Sequence, residues 1–224
     1  MNSFMVKKLI QKDWFAIRYS VYGCTLLGVI GLFMFLLGGF YGMYLGAVAL
    51  DIAIIVLMTA IVIPVVILER KTQTLAFLLS LPISNLEFTL AKSLVCLGVY
   101  FFTWLLLYVA AIVVLLIRID IASNLIPYFT VLYGAALMFY CLVFTVAIVT
   151  DSNLWTMIVF SLSNIIIQVS IGLGRTAAGI QESVKSPTML WNGTIIGMLE
   201  FELIVIVLSL PTMLYLQLRK KDFL

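Results

Sequence analysis

Long apolar runs separated by short polar stretches frame this chain. Residues 2–18 come first: Met5, Val6, Leu9, Ile10, Trp14 and Ile17 recur at helical spacing, with Lys7, Lys8, Gln11, Lys12 and Arg18 on the opposite side. That pattern predicts an interfacial amphipathic helix over 1–20, its Lys7, Lys8, Lys12, Trp14 and Arg18 lying at an anionic cytoplasmic membrane surface. Asp13 breaks the pattern from the apolar side, and Phe4 and Phe15 break it from the polar side. The alternative is a plain extension of the first span. From Val21 to Leu68 the only charged side chain is Asp51, and a crossing needs about 20 residues, so two spans are expected, about 21–45 and 47–68. The break falls near Gly38, Gly39, Gly42 and Gly46; these also spell small-xxx-small pairs, though a simple turn is their expected role.

Beyond a polar island at 69–92, further spans are expected at about 94–117, 127–149, 154–173 and 193–218. The turn Thr150, Asp151, Ser152 and Asn153 offers a cap for the fifth. Residues 174–192 form an outer loop or re-entrant segment, and 219–224 a basic cytoplasmic tail. The predicted fold is thus all-α: a polytopic membrane protein with six transmembrane helices.

Composition sharpens this. Hydrophobic residues make up 64%, charged residues 10%, and mean hydropathy is +1.23, far from a soluble domain. No polar stretch is long enough to bury its own core. The chain has no histidine, which removes His-containing triads and the commonest metal ligand; Cys24, Cys96 and Cys141 lie unpaired in apolar runs. No catalytic set, metal site or nucleic-acid-binding feature is expected. The N-terminal lysines and apolar run lack a small-residue cleavage site and read as an uncleaved start. With the N-terminus inside, ten Lys and Arg fall on the cytoplasmic side and three outside, which predicts a multi-pass membrane protein with both termini cytoplasmic.

Within the island, a helical stretch from Thr72 stops at Pro82, and Ser84 with Glu87 forms a capping box that starts a second helix. From Asn85 to Ile117 that helix would be about 50 Å long, well beyond a hydrocarbon core of about 30 Å, so its first turns project into the cytoplasm. This predicts a compact knuckle rather than a floppy loop, the alternative being an ordinary cytoplasmic hairpin joining two spans.

The run Glu69, Arg70, Thr74, Leu75, Leu78, Leu79, Ser80, Leu81, Pro82, Ile83, Ser84, Glu87, Ala91 and Lys92, with Lys71 beside it, resembles the segment between spans two and three of ABC type-2 transporter permeases. The start Lys7 to Trp14 is similar to that of short permeases in the same superfamily, and Gln73 departs from a glycine common there. The resemblance implies a cytoplasmic coupling helix between spans two and three that docks on a separate ABC ATPase subunit, with ATP and Mg held there. It implies a second permease copy or a related chain as the other half. In agreement, the sequence has no phosphate-binding loop of the form G-x-x-x-x-G-K-[S/T].

Ionisable residues inside spans are costly and mark gates or pathways by default, which singles out Asp51, Glu200 and Glu202. Glu200 and Glu202 diverge by about 200° on a helix and are expected near the outer boundary as interfacial glutamates. Pro64 and Pro211 are expected to kink their helices, and the sequon at Asn192 to arise by chance. The function these features imply is a non-enzymatic permease subunit of an ATP-driven exporter for a hydrophobic or amphipathic cargo. Exporters of amphipathic peptides such as phenol-soluble modulins are the nearest type. A proton-coupled secondary transporter and a non-transporting scaffold or immunity protein are the alternatives.

Overall fold

The computed structural model describes residues 3–37, 39–69, 85–117, 125–150, 152–174 and 189–219, and the elements among them are all helices. α1 spans Ser3–Leu37 without interruption, so the expected separate interfacial helix and first span are one rod of 35 residues. Nothing in that stretch could stop it: it holds no proline, and the first glycine pair comes at 38–39. Its buried stripe runs through Leu9, Asp13, Ile17, Val21, Cys24, Gly28, Gly31 and Phe35, in steps of three and four.

α2 spans Phe40–Val62 and widens into a π-helical turn over Ile63–Leu68. Pro64 lies in the first turn of that segment, where its missing N–H interrupts the α ladder. The glycines in the first turns of α2 do more than turn the chain. A Cβ on Gly46 would lie 2.7 Å from the Gly31 carbonyl oxygen and 2.8 Å from the Phe35 nitrogen, and one on Gly42 would lie 2.9 Å from the Met34 oxygen. Gly39, by contrast, faces open space. The expected break therefore narrows to 38–39, and Gly42 and Gly46 let α2 lie backbone to backbone on α1.

α3 spans Asn85–Ile117, as the capping box and apolar run predict, and α4 spans Ile126–Thr150. They meet through aromatic side chains at every fourth position of α3. Tyr100 stacks on Tyr140 with centroids 3.6 Å apart, and the Tyr140 hydroxyl donates to the Cys96 carbonyl at 2.7 Å. One turn further on, Trp104 Nε1 donates to the Tyr133 carbonyl at 2.9 Å, and then Tyr108 meets the Thr130 hydroxyl at 3.0 Å. All three cysteines are free and buried.

α5 spans Asn153–Gly174 and α6 spans Gly193–Arg219; both pack on α4. Ser152 Oγ accepts from the Trp155 N–H at 3.5 Å, the cap expected of the 150–153 turn. At α6, Asn192 Oδ1 accepts from the Ile195 N–H at 3.1 Å, so the sequon asparagine is a helix cap. Thr156 and Ser163 are buried on α5 while Leu154, Trp155, Leu162 and Ile166 point outward, the reverse of a soluble helix.

Among the described residues, five helical segments are long and apolar enough to cross a bilayer: Val6–Leu37, Tyr44–Leu68, Glu87–Ile117, Ile126–Thr150 and Gly193–Gln217. This is a multi-pass membrane protein. The apolar stretch on α5, Asn153–Val169, is shorter.

Candidate functional site: a buried charge junction

Three elements place four charged side chains in one spot. Lys12 and Asp13 come from the first turns of α1, Glu69 follows the π-helical turn, and Lys92 lies two turns into α3. Lys92 is 2% exposed and Asp13 1% exposed, so neither charge is left to water. Lys92 Nζ donates to Asp13 Oδ1 at 3.1 Å and lies 2.9 Å from Oδ2. It also donates to Glu69 Oε2 at 2.5 Å and to the Val65 carbonyl, inside the π-helical turn, at 3.0 Å. Lys12, half exposed, closes the ring by donating to Glu69 Oε1 and by approaching Asp13 Oδ1 at 3.3 Å. Two cations face two anions, and each ammonium bridges both carboxylates.

Burying charges is tolerated only when they are paired and hydrogen-bonded, which is met here by the ring and by the Val65 carbonyl. The side of Lys92 that faces no carboxylate lies over the Phe88 ring, 5.5 Å from its centroid. Beside the junction, Arg18 sits over the rings of Phe15 and Tyr19 at 4.5 and 4.6 Å, which explains why Phe15 falls on the polar side of α1.

Of the residues expected to form a coupling segment, Glu69 and Lys92 meet in this junction, and Glu87 stands in the first turn of α3, where a carboxylate suits the positive helix end. Arg70, Lys71, Thr74, Leu75, Leu78, Leu79, Pro82, Ile83 and Ser84 lie outside the described residues. Lys7 and Lys8 are exposed on α1, Trp14 is half-buried, and Lys12, expected at the membrane surface, turns inward to the junction. Asp13 was not singled out by function. The signal that could have found it was its place on the apolar side of α1, four residues from Leu9 and four from Ile17.

The three carboxylates expected in the spans part company. Glu200 is exposed on α6. Glu202 is 6% exposed, with Oε2 buried and without a hydrogen-bond partner among the described residues. It occupies the notch left by Gly134 of α4, where a Cβ would lie 2.1 Å from Oε2. Asp51 of α2 is partly buried, and on α4 the Tyr133 hydroxyl is buried and without a hydrogen-bond partner among the described residues. Gly134 carries no sequence signal of its own, since only helix register makes it face Glu202.

Among the described residues no group of histidine, cysteine, aspartate or glutamate is arranged to hold a metal ion. No family model, no curated protein and no solved structure matches the chain.

Proposed function

We propose that the chain is the transmembrane permease subunit of an ATP-driven exporter, moving a hydrophobic or amphipathic cargo with energy from a separate ATPase subunit. The observation that carries this reading is the charge junction. Glu69 immediately precedes and Lys92 closely follows the segment 70–84 that resembles a coupling helix, and they are tied to each other and to α1. A push on 70–84 from an ATPase would therefore reach α1, α2 and α3 together, rather than bend one hairpin. In this reading α5 supplies the sixth span, both termini are cytoplasmic, and a second permease copy or a related chain completes the pathway.

The test is reconstitution with an ABC ATPase subunit encoded beside this chain. Leu79→Glu should abolish assembly, whereas Lys92→Met should assemble yet lose most of the cargo-stimulated ATP hydrolysis. An intact complex and undiminished stimulation in both variants would sink the proposal. One observation favours a second reading: the Glu202 carboxylate, buried and without a partner among the described residues, suits a proton-coupled carrier. Efflux that follows an imposed proton gradient without any ATPase, and fails in Glu202→Gln, would establish that reading instead.

A further inference from the structure

Between α1 and α3 an open groove of about 480 Å³ runs along the two helices. It extends from Ile10 to Thr25 on α1 and from Leu94 to Leu106 on α3, and at 1.5 Å per residue the α1 wall is about 22 Å long. The helices touch at either end of it: Lys92 meets Asp13 at one, and at the other a Cβ on Gly28 would lie 2.7 Å from Leu107. In between they part. Apart from Thr25 and Thr103 the walls are aliphatic and aromatic, and Tyr22, Leu94 and Phe102 stand exposed along them. The floor includes Gly98, where a Cβ would meet nothing within 4 Å.

One cation stands at the lip of this groove. Arg18 lies four residues after Trp14 and four before Tyr22, both of which line the groove, and their rings meet edge-on with centroids 6.2 Å apart. The guanidinium donates to the Tyr19 hydroxyl at 2.9 Å and covers the Phe15 and Tyr19 rings. Its Nε is nevertheless buried without a hydrogen-bond partner, and no carboxylate pairs with it among the described residues. The junction offers it no counter-ion, since Lys12 and Lys92 already match Asp13 and Glu69. Lys7, exposed eleven residues before Arg18 and so on the same face of α1, adds positive charge at the Ile10 end.

The counter-anion of Arg18 must therefore come from another molecule. A protein helix seated here would have to bring a carboxylate to this one point. A phospholipid brings a phosphate to every such point of a membrane surface: the planar guanidinium fork matches two phosphate oxygens, and the apolar groove takes the hydrocarbon. Two unmatched cations favour a lipid of net negative charge over a zwitterionic one. We propose that the groove between α1 and α3 is a binding site for one anionic phospholipid, its phosphate held by Arg18 and an acyl chain laid over Gly98. The site goes beyond the exporter reading and is tested without an ATPase.

The chain in dodecyl maltoside carries Trp155→Phe and Trp191→Phe, so that its emitters are Trp14 at the groove and the buried Trp104. It is titrated with phosphatidylglycerol or phosphatidylcholine brominated on the acyl chains, whose heavy atoms quench tryptophan on contact. Phosphatidylglycerol should quench saturably, and phosphatidylcholine should need about tenfold more lipid. Arg18→Gln should raise half-saturation by phosphatidylglycerol about tenfold, the loss of one charge-assisted contact. Gly98→Leu, which fills the floor without a clash, should remove the saturable quenching, and Arg219→Gln, an equal loss of charge on α6, should change nothing. Equal half-saturation by the two lipids, unchanged affinity in Arg18→Gln, an equal loss in Arg219→Gln, or saturable quenching retained in a folded Gly98→Leu chain overturns the site. Should Arg18→Gln fail to fold, Gly98→Leu decides by itself. A chain that is dimeric, unquenched by either lipid and made monomeric by Gly98→Leu overturns the site in favour of a second copy seated in the groove.

Discussion

Asp13 shows how a single residue can organise a junction that its neighbours do not announce. It stands in the buried stripe of α1, where an apolar side chain is the default, and is tolerated because Lys92 reaches it from α3. Removing one partner of a buried pair leaves the other charge unpaired, at a typical cost of about 3–5 kcal/mol. Lys92→Met, which leaves two carboxylates to the one half-exposed ammonium of Lys12, should therefore lower unfolding free energy in mixed micelles by about that amount, and Lys92→Met with Asp13→Asn by less than the two single changes summed. A Lys92→Met chain within about 1 kcal/mol of the unaltered protein would show that the ring contributes little. Gly134 gives a steric counterpart. Gly134→Ala sets a methyl group 2.1 Å from Glu202 Oε2, so it should destabilise by about 1–3 kcal/mol, and shortening the acid with Glu202→Ala should recover most of the loss. If the double variant is no better than Gly134→Ala alone, the glycine serves something other than room for this carboxylate.

At the scale of the element, sequence pattern located the helices and missed two of their joints. Capping chemistry set the ends well: Ser152 and Asn192 each accept an N–H three residues on. Asn192→Ala should thus cost about 1 kcal/mol of α6 stability, read as faster amide exchange over the first turn of that helix; exchange unchanged there would refute the cap. The division between an amphipathic helix and a first span did not survive, because amphipathicity changes along α1 without any residue that ends a helix. The glycines at 42 and 46 were legible as a motif, but what they pack against is a matter of which face α2 turns to α1. Gly46→Ala should part these two helices, at a cost of about 1–3 kcal/mol, while Gly39→Ala should be near neutral because nothing lies within 4 Å of its position. Equal losses from both would mean that chain flexibility, not close approach, selects the glycines. The aromatic ladder between α3 and α4 was also hidden: its members sit four apart in runs so rich in Leu, Val and Phe that no periodicity marks one side from another.

For the whole molecule, the membrane class was plain from composition alone. The number of crossings turns on α5, whose short apolar stretch faces outward while its small polar side chains are turned inward. Ser152→Cys, just before α5, and Met189→Cys, just before α6, placed in a chain whose three native cysteines are replaced by alanine, report whether the chain crosses between them. In sealed vesicles they should react with a membrane-impermeant maleimide from opposite sides; reaction from one side alone would remove the sixth crossing and with it the paired cytoplasmic termini. Where three helices converge, Lys12, Asp13, Glu69 and Lys92 carry two positive and two negative charges. A transmembrane voltage does work on net charge, about 2.3 kcal/mol per elementary charge per 100 mV, and at this point it finds none to pull. The junction can therefore shift with its helices in a polarised or a depolarised cell alike.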